Sequence, residues 1–287
     1  MNEDPTSLDE LRCEIDTVDD SIHDLLKKRA NLVQQIGVLK NSQQTNIFRP
    51  SREAFLLRRL LAQNSGNFSA TSLIRVWKEI IGASTQMQGG LIIAYCPIND
   101  SLNANQLVRE GFGSSVSVIH FQSPDEVIQS VIKGDVSLGL VPFPRQDDEL
   151  PWWPLLHSSK KEELAQVVSS VPFVMSDRDL NIRGTEAFVI SRNQAESSSD
   201  DRSLIVFEFK NPMQKSSISD ALTMRGLDHG SIISCRDTVG AGNYLYLADI
   251  SGDIYLDEFQ LENTKLDLSA LSLRRLGLYA SPVFVTG

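Results

Sequence analysis

The sequence predicts an all-helical segment over residues 1–90 joined to an α/β region over 91–287. Three observations predict it. Apolar residues recur at helical spacing from Leu11 to Ile81. From residue 91 onward, short Val/Ile-rich runs alternate with helical stretches. A polar run, "SRNQAESSSDDRS" (191–203), then separates a β-α-β lobe (91–192) from a second group of elements (204–287), with 193–203 as linker.

In the first segment, the stripe Leu11, Ile15, Val18, Ile22, Leu25, Leu32, Ile36 defines a helix over 8–41. It opens at Ser7 with Glu10 three residues on, a capping-box pattern. "NSQQTNIFRP" ends it. A second helix is expected over 51–64, carrying Leu56, Leu57, Leu60 and Leu61 on one side. After the turn "NSGNFSA" a third runs over 70–88, with Leu73, Val76, Trp77, Ile80 and Ile81. The first helix would span roughly 50 Å at 1.5 Å per residue. That is too long for a compact monomer of 90 residues, so its stripe is expected to bury against a partner chain.

In the second region, "LIIAYC", "VSVIHF" and "VSLGLVPF" read as strands. Helices are expected between them, over 101–111 and 124–133, the latter opened by Ser123, Pro124 and Glu126. This order implies a parallel sheet. "PWWPLLHSS" reads as a loop, with hydrophobic packing expected of its tryptophans, and further strands are expected near 166–174 and 186–191. Beyond the linker, "LIVFEF", a helix near 214–225, "SIISCRD", "NYLYLADI", a helix-compatible stretch near 257–273 and "LGLYASPV" follow. That β-α-β-β-α-β order suggests a ferredoxin-like domain. "TVGAGN" (238–243) opens no helix and reads as a hairpin turn, not a phosphate site.

Composition narrows the function classes. The net charge of −10 falls entirely on residues 91–287; residues 1–90 hold 11 Lys/Arg and 11 Asp/Glu. An acidic chain without a basic stripe argues against nucleic-acid binding. The acidic start and the lack of an 18-residue apolar run predict neither signal peptide nor membrane span, hence a cytoplasmic protein. Cys13, Cys96 and Cys235 have no metal-ligand spacing and are expected to be free buried thiols.

Two cations break the apolar stripe. Arg29 and Lys40 are eleven residues apart, so they share a face about 16 Å apart along the axis. On the third helix Ser84 and Gln88 form an i, i+4 pair that continues its apolar row. Arg52 and Glu53 open the second helix. Burying these groups without a ligand would cost several kcal/mol, roughly. A small polyanion would satisfy them. Arg12 lies some 25 Å from Arg29 and about 100° out of phase. It can reach such a ligand only from an antiparallel partner chain.

"LRCEIDTVDDSIHDLLKKRANLVQQIGVLK", "RPSREAFLLRRL" and "LIRVWKEIIGASTQMQ" resemble the all-helical class of chorismate mutases over residues 8–88. The resemblance implies an intertwined homodimer through the N-terminal helices. It also implies conversion of chorismate to prephenate, a step in aromatic amino acid biosynthesis, without cofactor or metal. Arg29, Lys40 and Arg52, with the partner subunit's Arg12, would contact the carboxylates and the ether oxygen. Glu53 would accept from the substrate hydroxyl, Gln88 with Lys40 would face the ether oxygen, and Ser84 would contact a carboxylate or the backbone. Arg49 falls where some members carry an acid that touches substrate. A Claisen rearrangement needs a held conformation and stabilised negative charge, which cations and an amide supply.

"DEVIQSVIKGDVSLGLVPFP" resembles part of a prephenate dehydratase lobe, and the segments after 203 resemble its ACT-type regulatory domain, which implies an aromatic amino acid effector. The sequence departs from the dehydratase pattern. "RQDDEL" stands in place of a Glu-Asn-Ser segment. "GTEAFVIS" stands near the place of a Thr-Arg-Phe motif, keeping Thr185 and Phe188 but no arginine. "SCRD" (234–237) replaces a Glu-Ser-Arg-Pro ligand motif. The expectation is therefore a mutase with a non-catalytic regulatory C-terminal half. The alternatives are a bifunctional mutase–dehydratase and a non-catalytic sensor of aromatic metabolites.

Overall fold

The computed structural model describes residues 7–43, 46–98, 104–158, 165–176, 186–254, 263–265 and 267–285, with the backbone alone over 40–43. Three helices open the chain: α1 (Leu8–Gln43), α2 (Pro50–Gln63) and α3 (Ala70–Met87). The capping box closes as expected. Ser7 Oγ accepts from Glu10 N at 3.2 Å, and Glu10 Oε2 accepts from Ser7 N at 2.8 Å. α2 starts on Pro50, and Ser69 caps α3 by accepting from Ser72 N at 3.1 Å.

The α/β region runs β1 (Ile92–Tyr95), α4 (Ala104–Phe112), β2 (Ser117–His120), α5 (Pro124–Lys133), β3 (Leu138–Pro142), α6 (Trp153–Ser158), β4 (Gln166–Val171), β5 (Val174–Ser176) and β6 (Ala187–Ser191). It continues with β7 (Asp201–Phe209), α7 (Lys215–Thr223), β8 (Ile233–Arg236), β9 (Tyr244–Ser251), β10 (Ser272–Ala280) and β11 (Val283–Val285). Of the helix expected near 257–273, residues 257–262 and 266 lie outside the described residues, as does Thr185; 263–265 and 267–268 are helical, and β10 already begins at Ser272.

One nine-stranded sheet carries all of this, in the order β2-β1-β3-β6-β4-β10-β7-β9-β8, and β11 pairs with β5 in a second, small sheet. β2, β1 and β3 are parallel, as crossover helices require. β10, β7, β9 and β8 are antiparallel, with α7 crossing from β7 to β8. The seam is the parallel pairing of Gly277 with Val167. A Cβ at Gly277 would stand 2.2 Å from the Val167 carbonyl oxygen, so a side chain there would force the seam apart.

Strand alternation sorts the core. Leu204 and Val206 of β7, with Leu245 and Leu247 of β9, face Trp152, Trp153 and Phe188. Their neighbours Ile205, Phe207, Tyr246, Ala248 and Ile250 face Ile218 and Leu222 of α7. The "PWWPLLHSS" segment is not a loop, because Trp153–Ser158 forms α6. Pro154 sits in its first turn, where a missing N–H costs nothing. Both tryptophans are buried, and Trp152 Nε1 donates to the Pro142 carbonyl at 2.9 Å. The tip between β8 and β9 is the expected hairpin, with Asp237 Oδ1 accepting from Val239 N and Gly240 N.

The three helices meet different fates. α2 and α3 dock on the α/β body, where Ala54, Leu57 and Ile74 pack with Phe173 and Ala280. Arg58 donates to Ser198 O at 3.1 Å, Ser198 Oγ at 3.0 Å, Asp200 O at 2.6 Å and Ser281 O at 3.0 Å. The stripe of α1 is uncovered: Leu11, Ile15, Val18, Ile22, Leu25, Leu32 and Ile36 are all exposed in the single chain. His23 is exposed as well. Cys13 is exposed too, contrary to the buried thiol expected, because residues 7–28 of α1 touch no other element closely enough to be covered. Cys96 is buried and Cys235 half-buried; all three are free.

Candidate active site

The junction of α1 with α3 gathers three of the expected residues. From α1, Arg29 donates through Nη1 to Ser84 Oγ and, at 3.4 Å, to the Ile80 carbonyl. Its guanidinium lies 5.9 Å from the Trp77 ring centroid. Burial pulls Arg29 below its ordinary range, yet the group stays a cation. Ser84 is buried and donates to Ile80 O at 2.6 Å. One turn on, Gln88 Nε2 donates to the Ser84 carbonyl at 3.1 Å. Its Oε1 is buried without a hydrogen-bond partner.

Local sequence explains the closeness. Gly37 faces Gln88, and a Cβ there would lie 3.4 Å from Gln88 Cγ. Beside this contact lies an open groove of ≈ 730 Å³, lined by Asn31, Gln34, Gln35, Val38, Met87 and Gln88, among others. Lys40 belongs to α1 by its backbone, three turns beyond Arg29, but its side chain lies outside the described residues.

The other expected residues stand elsewhere. Arg12 is exposed and pairs with Asp9 at 3.2 Å in its own helix. Arg52 is exposed. Glu53 forms an ion pair with Lys78 of α3, with both side chains largely buried beside Phe48 and Phe112. Arg49 donates to Glu196 Oε2 through Nη2 at 2.8 Å and Nε at 3.2 Å, and Ser51 Oγ donates to the same oxygen at 3.0 Å. Among the described residues no hydrogen bond or ion pair joins Glu53, Arg49 or Arg12 to the Arg29–Ser84–Gln88 group.

Lys78 and Glu196 escape a reading of the sequence. Lys78 follows Trp77 one step off the apolar row, and so reads as a solvated flank. Glu196 reaches α2 from 147 residues downstream of Arg49, with no local pattern to announce it. Among the described residues, no three His, Cys, Asp or Glu side chains cluster in a way that could hold a metal. No described helix is long and apolar enough to cross a membrane. Chemically the junction offers a guanidinium, a hydroxyl and an amide, all hydrogen-bonding groups, beside an open groove. That is equipment for gripping an anion and stabilising developing charge.

Comparison with known proteins agrees with this inventory. The chain is 29% identical over 137 residues to the bifunctional chorismate mutase/prephenate dehydratase of Stutzerimonas stutzeri, covering 46% of this chain and 37% of that protein. It is 30% identical over 139 residues to that of Aquifex aeolicus, covering 47% and 38%. The matched part thus spans under two-fifths of each relative. Among solved structures, prephenate dehydratase from Streptococcus mutans is similar with a TM-score of 0.49 and 18% identity, over 68% of this chain and all of that one. Residues 11–89, the three helices that carry Arg29, Ser84 and Gln88, match the family model of chorismate mutase type II.

Proposed function

We propose that this protein is a chorismate mutase that acts as a homodimer, with a non-catalytic C-terminal half. The observation that carries the reading is the Arg29–Ser84–Gln88 junction on the segment that matches the mutase family. Arg29 and Lys40 hold the two carboxylates of chorismate. The Gln88 amide and the Lys40 ammonium face the ether oxygen, where negative charge grows as the C–O bond breaks and the new C–C bond forms. No proton changes hands, so the site needs no base. Holding the chair-like conformer removes an entropic barrier, and the donors favour the transition state over the ground state.

A second copy completes the site. The uncovered stripe of α1 supplies the surface for it, and an antiparallel partner would bring the partner's Arg12 to the substrate. In the same complex Arg52 and Glu53 complete the pocket from α2, with Glu53 turning from Lys78 to the substrate hydroxyl. The C-terminal half is read as ferredoxin-like and ACT-type on its strand order, β10-β7-β9-β8. It would respond to an aromatic amino acid. Dehydratase activity is not expected, since "RQDDEL" and "GTEAFVIS" lack the residues that the resemblance requires.

Loss of chorismate absorbance, followed with the purified full chain, tests the reading. Lys40→Ala or Gln88→Ala should lower kcat by roughly 10²–10³-fold while leaving the dimer intact. Equal and small effects on both would defeat it. Phenylpyruvate formed from prephenate by the same preparation would overturn the non-catalytic reading of the C-terminal half.

A further inference from the structure

A second cavity lies far from the α1–α3 junction, between the β3–β6 part of the sheet and the antiparallel strands. Its volume is ≈ 180 Å³. Phe143, Phe188, Leu204, Ile233 and Leu247 wall it, and Asp249 is its one charged lining residue. The rings of Phe143 and Phe188 stack at 3.9 Å between centroids. Asp249 extends the row Leu245, Leu247 on the face of β9 turned toward that part of the sheet, where a third apolar residue would be the simple choice.

The hydrogen bonds of this carboxylate are lopsided. Oδ2 accepts from Arg202 Nε at 3.0 Å and from Tyr279 OH at 2.8 Å. Oδ1 is buried and has no partner among the described residues. Arg202 turns its other bonds elsewhere: Nη1 donates to Ser251 Oγ at 3.2 Å and Nη2 to the Asp249 carbonyl oxygen at 3.2 Å. The unmet need in the cavity is therefore an acceptor, and a ligand must bring a donor.

We infer that this cavity binds a small molecule with a flat apolar body and a protonated amine, the amine set against the Asp249 carboxylate. A charged donor suits the site better than a hydroxyl for a second reason. Burial pushes the Asp249 carboxyl above the usual carboxylate range, against the pull of Arg202 and Tyr279. Burial also raises the neighbouring Glu186 carboxyl, with Arg145 opposing and Asp249 adding to the rise. A carboxylate that burial already disfavours is stabilised by a further cation and destabilised by an anion.

Calorimetric titration of the full chain with 2-phenylethylamine, 2-phenylethanol and 3-phenylpropionate tests the assignment without chorismate, so its failure is separate from failure of the mutase reading. The amine should bind roughly tenfold or more tightly than the alcohol, and the carboxylate most weakly. Asp249→Asn should bring the amine down to the level of the alcohol. Because that change also removes the charge opposite Arg202, Ser231→Phe serves as the second variant: Ser231 lines the cavity yet is exposed, and an aromatic ring there should block entry. Equal binding of all three probes, no amine binding at millimolar concentration, or amine binding that survives Ser231→Phe would overturn the proposal.

Discussion

α1 and the α2–α3 pair are built on the same amphipathic pattern and reach opposite ends. The apolar row of α2 meets Phe173 and Ala280, so that Leu57 is fully buried. The row of α1 stays exposed among the described residues, from 45% at Leu11 and Ile36 to 65% at Leu25. A pattern in sequence states that a face must be covered; it does not state by what. For α2–α3 the cover comes from the same chain, from Phe173 and Ala280 far downstream. For α1 we propose a second copy.

The sharpest way to break this comparison is Ile22→Glu combined with Leu25→Glu. Two carboxylates per chain, placed on an apolar symmetric interface, should weaken the dimer by roughly 100-fold or more. Turnover should fall with it while the α/β body melts unchanged; sedimentation together with a melting curve reads both. If the double variant stays as dimeric and active as its parent, α1 is not the interface. Leu57→Ala should do the converse. It should lower unfolding stability by about 2–5 kcal/mol in denaturant titration, leaving the association constant alone. The smallest effect is expected from Arg58→Met, which removes the donors to Ser198, Asp200 and Ser281 and should cost about 1–3 kcal/mol by the same titration. A null result there would mean that apolar contact alone holds α2 to the body.

The parts legible in sequence are those with local causes. Ser7 with Glu10, and Ser123 with Glu126, mark helix starts because a cap is satisfied within three residues. The helix bounds over 1–90 follow to within two residues. Ser84 and Gln88 are legible as an i, i+4 pair because helical spacing alone aligns them, whereas the meeting of Arg29 with Ser84 is tertiary. The missed parts have distant causes. Glu53 meets Lys78, and Arg49 meets Glu196, through tertiary packing that no window of residues contains. Pro151 and Pro154 masked a helix, since the same residue that breaks a helix interior suits its first turn. The continuity of the sheet rests on Gly277 beside Val167, a contact that looks like any other glycine in a one-dimensional string.

The bond from Arg58 to Ser281 joins positions 223 residues apart. During synthesis, at about 5–20 residues per second, α2 leaves the ribosome on the order of 10–50 s before its anchor exists. For that interval Leu57 and Ile74 lack the Ala280 side of their cover, and before Phe173 emerges they have none of it. A nascent chain therefore carries an uncovered apolar face through much of its synthesis, and its yield should depend on more than the stability of the finished molecule.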